Sequence, residues 1–447
     1  MKTKLIIIAI LGLLASTYTM AWDEVTHSFM TDKIIQEIRI PELQQLLEQN
    51  KNEFLSGSWY TDTYQYTPNR HETLNPHNLD VHCNAYVNYL QKEEVKKQDN
   101  YEQLVALLLG SLAHTTEDFW LDNILYKYPQ TIGEDITGDT YNGVISLHKF
   151  HYLKKKVKPY FPANDLLTMY KDAGLLEQSY DTPRKFDKLY KQLITKQYEQ
   201  LRLLKLLSFL ASNQVQNRSP WMSANILTVT GGMLSCVNNS SRYLEAVWEV
   251  LNNQPTQGIL NAEYSPLDNR LGLLVSFPLS VMNEDQLDLV VLNDEQDTIP
   301  GSVSAFSFGG TRTNLVTLVY KFDNDSVFKR GNYTVTTKAK GENTINYSAP
   351  FIASTKGMVT DYPQKPKTLL ETIGAGLYLF MLCLGLAGVF WGLSAIYPFI
   401  WATKKKKGSL PMFAVLLQKG LQLVGIVIFV FGIYLLFTKG WLVVMNV

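Results

Sequence analysis

From Thr372 to Thr403 the chain carries no charged residue for 32 consecutive positions. A run this long and apolar exceeds the roughly 20 residues that a bilayer-spanning helix needs. A second uncharged run, Gly420–Thr438, reaches back to Pro411 if Lys419 snorkels toward one end. The pattern predicts two transmembrane helices, 372–403 and 411–438. Between them Lys404-Lys405-Lys406-Lys407 marks 404–410 as a cytoplasmic loop, because short cytoplasmic loops concentrate lysine and arginine.

The other end agrees with that orientation. Lys2 and Lys4 precede an apolar run, Leu5–Ala15, which is followed by Thr19-Met20-Ala21. This is the pattern of a secretory signal peptide, 1–21, with Trp22 as the mature N-terminus. The expected protein is multi-pass in a cell membrane at its C-terminal end. Residues 22–371 and the tail 439–447 would face away from the cytoplasm.

Charge narrows the partners. Lys+Arg and Asp+Glu both number 41, so the net charge is zero and the basic footprint of a general nucleic-acid binder is missing. Three cysteines are too few for a disulfide framework or a cysteine-rich zinc fold. Cys83 and Cys236 are left either as a pair or as two free thiols.

Periodicity divides the main body. Residues 22–255 carry apolar residues at helical spacing, with Tyr/Asn/Asp/Gly-rich stretches near 57–77 and 129–143 reading as loops. After Asn252-Asn253-Gln254-Pro255 the texture becomes short β-rich segments: Leu271–Val281, Leu287–Leu292, Leu315–Phe322 and Tyr333–Lys338. Turn clusters separate them, which predicts a β-sandwich over 256–355, loosely similar to Ig-like modules. Residues 356–371 read as a linker. The expected fold class is multidomain: an all-α domain, then a β-sandwich, then two transmembrane helices.

The chemistry concentrates in the helical part. On a helix predicted over Tyr101–Leu125, His114, Asp118 and Asp122 stand at i, i+4 and i+8, on one face. Burying such groups without partners costs several kcal/mol each. Either this face is solvated or it holds a metal. Further candidates are His27, Asp62 in the loop Gly57–Asp62, His77 fifteen residues on, and the pair Asp135 and Asp139. His71 and His82 flank His77, and His148 and His151 follow Asp139. All four read as ordinary structural or surface histidines.

In order and register this set resembles the zinc-dependent phospholipases C. Those are related to single-strand-specific zinc nucleases and to the catalytic domain of glycosylphosphatidylinositol-specific phospholipase D. The matching segments are Trp22-Asp-Glu-Val-Thr-His27, Asp62 with His77, Ala113-His114-Thr-Thr-Glu-Asp118, and Gly138-Asp139 before Gly143-Val144-Ile145-Ser146. The resemblance covers about residues 22–150. It implies an all-α domain and a metal-dependent phosphodiesterase with two or three Zn²⁺. One ion would take Asp62, His77, His114 and Asp118. A second would take the amine and carbonyl of Trp22, His27 and the bridging Asp118. At the third site relatives have two histidines and an acidic residue, whereas this chain offers Asp122, Asp135 and Asp139. Three carboxylates suit Mn²⁺, Mg²⁺ or Ca²⁺ better than zinc, unless that site is empty.

The implied reaction is in-line hydrolysis of a phospholipid headgroup, or another phosphodiester, by metal-activated water, with Asp62 able to accept the proton. Membrane anchoring would bring the substrate within reach, and the β-sandwich is the candidate for a protein or surface partner. Two other readings use the same residues. One is a nuclease or 3′-nucleotidase on this scaffold. The other is a non-enzymatic surface or interaction protein whose metal site is partly degraded.

Overall fold

The structure is a computed structural model that describes residues 24–62, 75–125, 160–175, 188, 221, 225–266, 269–278, 280–323, 331–339, 346–353, 383–394, 415 and 418–430. The expected leader 1–21, Trp22, Asp135, Asp139 and residues Lys404–Lys407 of the expected loop lie outside the described residues. The chain divides into two compact units, Met1–Tyr362 and Pro363–Val447.

In the first unit the described helices are α1 (Glu24–Glu37), α2 (Pro41–Gln49), α3 (Lys51–Asp62), α4 (Leu79–Leu90), α5 (Glu93–Lys96), α6 (Tyr101–Trp120), α7 (Ala163–Asp172) and α8 (Met233–Leu251). Helix α6 continues into a π turn, Leu121–Leu125. Every residue from Leu104 to Asp118 is buried. A helix buried on all sides lies inside the fold, and α6 does, with α3, α4 and α8 packed around it.

Two glycines set the closest of these packings. A Cβ on Gly57 of α3 would run into the carbonyl oxygen of Leu107 on α6, and a Cβ on Gly110 into that of Phe54 on α3. The two backbones touch where only hydrogen fits. Residues 57–62, expected as a loop because Gly57 sits among Tyr, Thr and Asp, are therefore the C-terminal half of α3. Burial of Phe54, Trp59 and Tyr60 against α6 outweighs the intrinsic helix penalty of glycine, about 1 kcal/mol.

The strands are β1 (Gly258–Ser265), β2 (Arg270–Ser276), β3 (Leu287–Asn293), β4 (Thr298–Ile299), β5 (Gly301–Phe308), β6 (Leu315–Phe322), β7 (Gly331–Ala339) and β8 (Asn346–Ala353). They form two four-stranded antiparallel sheets, ordered β1-β2-β6-β5 and β4-β3-β7-β8. Side chains alternate across a strand, and β2 and β6 use both faces. Leu271, Leu273 and Val275 of β2, with Val316, Leu318, Tyr320 and Phe322 of β6, fill the core between the sheets. Leu274, Leu315 and Val319 point the other way, into the core formed by the helices. Gly272 gives way to the Trp120 indole, whose ring carbons a Cβ there would strike.

The expectation of a self-contained all-α domain is corrected by this arrangement. The first sheet is a middle layer, and the helical core is completed by strand residues. Polar ties follow the same seam. Trp120 Nε1 donates to Ser235 Oγ (2.8 Å), which donates to Glu263 Oε2 (2.8 Å), and Arg270 Nη1 donates to the Asn123 carbonyl (2.6 Å).

The two predicted transmembrane helices are also corrected. In the second unit the described helical stretches are 383–394 and 418–430. Among the described residues no helix is long and apolar enough to cross a membrane. The multi-pass cell-membrane placement inferred from those spans falls with them. Cys83, Cys236 and Cys383 are buried and form no disulfide among the described residues; burial pushes the Cys83 thiol up to about 12.

Candidate metal centre

Four elements deliver the site. Helix α1 brings His27, the last residue of α3 is Asp62, His77 stands just before α4, and α6 carries His114 and Asp118 one turn apart. Asp118 lies between two groups. Its Oδ1 is 3.2 Å from His27 Nε2. Its Oδ2 is 3.3 Å from His77 Nε2 and 3.2 Å from His114 Nε2. Asp62 Oδ1 closes the second group, 3.5 Å from His114 Nε2 and 3.7 Å from His77 Nε2.

These spacings are long for hydrogen bonds, which centre near 2.9–3.0 Å. They match the edges of a coordination polyhedron. A tetrahedron with bonds of about 2.0–2.2 Å has edges of about 3.3–3.6 Å. His27 Nε2, His114 Nε2, Asp118 Oδ1 and Asp118 Oδ2 are moreover buried with no hydrogen-bond partner among the described residues. Leaving such atoms unsatisfied costs several kcal/mol each, and a bound cation would satisfy all four. Two sets of side chains could hold a metal ion: His27, His114 and Asp118, and Asp62, His77 and His114. The two sets share His114, whose ring stacks on that of His27 with centroids 3.6 Å apart.

Protonation follows from this crowding. Burial and neighbouring His114 pull the His27 pKa down, but Asp118 and Glu117 outweigh them and hold it at about 9. Burial opposes the charge on His114 as well, and Asp62 and Asp118 raise its pKa well above the ordinary value. Burial opposes ionisation of Asp118, yet His114 and His27 hold it well below the usual carboxylate range. Asp62 is lowered against burial, chiefly by His114. Without a metal the site is a compact set of buried ion pairs, and a cation must displace the protons on its histidines.

Two residues that the sequence did not single out orient the rings. Asn75 Oδ1 accepts from the His77 backbone N–H (3.1 Å) and lies 3.0 Å from His77 Nδ1. That bond places the proton on Nδ1 and leaves Nε2 free toward the aspartates. Glu117 Oε2 lies 2.5 Å from His27 Nδ1, on the far side of the ring from Asp118. Asn75-Pro76-His77 has the composition of a turn, a signal available in the sequence. Glu117 had none: at i+3 from His114 it shares that side of the helix, but its partner, His27, lies 90 positions away.

Asp122 joins neither group. It sits in the π turn Leu121–Leu125, where the widened backbone breaks the i, i+4 register that the sequence implied. Burial, reinforced by Asp118, pushes its carboxyl up to about 8, and its Oδ1 has no hydrogen-bond partner among the described residues. Asp135 and Asp139, its expected companions, lie outside the described residues, as does Trp22, the expected companion of His27 and Asp118. His82 is fully buried against Tyr170, belongs to neither group, and is pushed down to about 3 by burial.

No protein-family model, curated protein or solved structure matches the chain. What the site can do has to be read from its own geometry.

Proposed function

We propose that this protein is a metal-dependent phosphodiester hydrolase holding two Zn²⁺ ions through His27, Asp62, His77, His114 and Asp118. The observation that carries the reading is Asp118, which turns one carboxylate oxygen to His27 and the other to His77 and His114. Three imidazoles and two carboxylates form the mixed nitrogen–oxygen set that suits zinc. When bound, paired divalent ions supply an acidified water and charge neutralisation for a phosphoryl group.

The chain's own residues do the rest. Asp118 fixes the separation of the two half-sites. Asn75 and Glu117 hold His77 and His27 with Nε2 facing inward. Asp62, at the end of α3 and 3.5 Å from His114 Nε2, would be the carboxylate to accept a proton from a metal-held water. His77 is 27% exposed while His27 and His114 are fully buried, so substrate approaches from the His77 side.

The sequence resemblance makes a choline phospholipid the first substrate to try and single-stranded DNA the second. The test is zinc analysis of the purified full chain beside hydrolysis of both substrates and of bis(p-nitrophenyl) phosphate. Bound zinc with cleavage that a chelator abolishes is the expected result. A protein that binds zinc at both groups and cleaves none of the three would overturn the hydrolase reading.

A further inference from the structure

Glu117 is buried to 0% exposure on α6. The only hydrogen-bond partner of its carboxylate among the described residues is His27 Nδ1, at 2.5 Å. Its other oxygen, Oε1, is buried and has no hydrogen-bond partner among the described residues. A carboxylate kept for structure alone would be expected to satisfy both oxygens, since each orphaned atom is costly. This one spends its burial on a single ring nitrogen. The ring it touches presents its opposite nitrogen to Asp118 at 3.2 Å. The chain of contacts runs Glu117 Oε2, His27 Nδ1, His27 Nε2, Asp118 Oδ1.

We infer that Glu117 is a positioning residue: it fixes the His27 tautomer with the proton on Nδ1 and adds a negative charge behind the ring, so that His27 Nε2 binds the second divalent cation. This inference rests on the metal-centre reading of the site. Glu117 is not a ligand itself, because it lies on the opposite edge of the ring and belongs to neither metal-holding group. Its effect is confined to one half-site, since His77 takes its orientation from Asn75 instead. The sequence resemblance does not assign the role; it rests on α1 laying His27 between Glu117 and Asp118.

Carboxylates behind metal-bound histidines typically contribute 10–100-fold in metal affinity. The test compares wild type, Glu117→Gln and Glu117→Leu. Each full-length protein is stripped with a chelator, checked for native circular dichroism and titrated with Zn²⁺. Glutamine keeps an acceptor for Nδ1–H but loses the charge, so one of two Zn²⁺ constants should weaken by about tenfold. Leucine loses both, and the same constant should weaken by up to about 100-fold, with the other unchanged. Should the leucine protein fail to fold, the glutamine protein decides alone.

Unchanged Zn²⁺ constants in the folded variants would overturn the inference. So would equal weakening of both constants, or a wild type that takes up fewer than two Zn²⁺. A wild type that binds two Zn²⁺, with only one weakened by Glu117→Gln, supports the positioning role even if no phosphodiester is cleaved. In that case the hydrolase reading alone fails.

Discussion

The first unit has two hydrophobic cores that differ in what else they bury. The core between the sheets encloses no buried histidine or carboxylate among the described residues. The core around α6 encloses His27, Asp62, His82, His114, Glu117 and Asp118. In the sandwich Tyr264 Oη donates to Asn269 Oδ1 at 2.6 Å, and the atoms left without a hydrogen-bond partner among the described residues are the uncharged hydroxyls of Thr317 and Thr337. Around α6, several buried nitrogen and oxygen atoms face one another at coordination distances rather than hydrogen-bond distances. One core is built for stability. The other carries an electrostatic cost that burial of Leu104–Leu112 and its neighbours must offset. The shared middle sheet lets the stable half support the costly one.

The sharpest break in that comparison is at Asp118. Asp118→Asn removes charge from both half-sites at once. Hydrolysis should fall by on the order of 10³-fold or more, since metal-assisted stabilisation is worth several kcal/mol, and zinc should leave both positions together. Leu287→Ala, in the sandwich core, should cost about 2–5 kcal/mol in urea unfolding yet leave zinc stoichiometry unchanged. Equal zinc loss in both variants would show that the two cores cannot be separated in this way.

Gly110→Ala tests how the scaffold holds the site. The added methyl meets the Phe54 carbonyl, so α3 and α6 must part. Overpacking of this kind costs about 1–3 kcal/mol. The same displacement moves Asp62, at the end of α3, away from His114, one turn beyond Gly110. Zinc affinity should therefore fall along with the urea midpoint. A lower midpoint with unchanged affinity would show that the crossing supports the fold but not the site.

Acidity probes the metal-free site. The lowered pKa values of Asp62 and Asp118 contribute stability that is present above the unfolded value of 3.8 and lost as pH falls through the lower folded values. The raised values of His27 and His114 contribute stability fully present below 6.5, and the His27 share is lost as pH rises through about 9. Chelated protein should melt highest between about pH 4 and 6.5 and lower on either side. Apparent zinc affinity should run the other way and climb toward pH 9, because zinc competes with the histidine protons. Melting curves and zinc titrations across this range check both slopes; flat zinc affinity from pH 6 to 9 would argue against His27 and His114 as ligands.

Much of this was legible in the sequence because it depends on short spacing. The i, i+4 relation of His114 and Asp118 needs only a helix. Strands β2, β3, β6 and β7 follow from β-rich runs between turns. What sequence could not show was which surface each run would meet. Leu274 and Val319 look like any inward sandwich residues, and only the packed chain shows them facing helices. Gly57 carries the same letter in a loop or at a helix crossing, and only the partner Gly110 distinguishes them. Glu117 acquires its partner through His27, 90 positions away. Asp122 departs because a π turn is a local backbone choice that helical periodicity does not encode.

The smallest expected effect lies on the outer face of the second sheet. Along β8, Phe351 and Ala353 are buried while Ile352, between them, is 68% exposed. An isoleucine so placed loses little solvent contact on folding, and threonine keeps its β-branched preference for a strand. Ile352→Thr should therefore shift stability by no more than about 0.5 kcal/mol. Its neighbour gives the control, since Phe351→Ala should cost about 3–5 kcal/mol. Urea midpoints of the two variants measure how completely one step along the strand reverses the environment. A loss above about 1 kcal/mol in Ile352→Thr would mean that this face is covered in the folded protein. The sandwich would then bury a third surface, and its role could not be confined to supporting the layer above it.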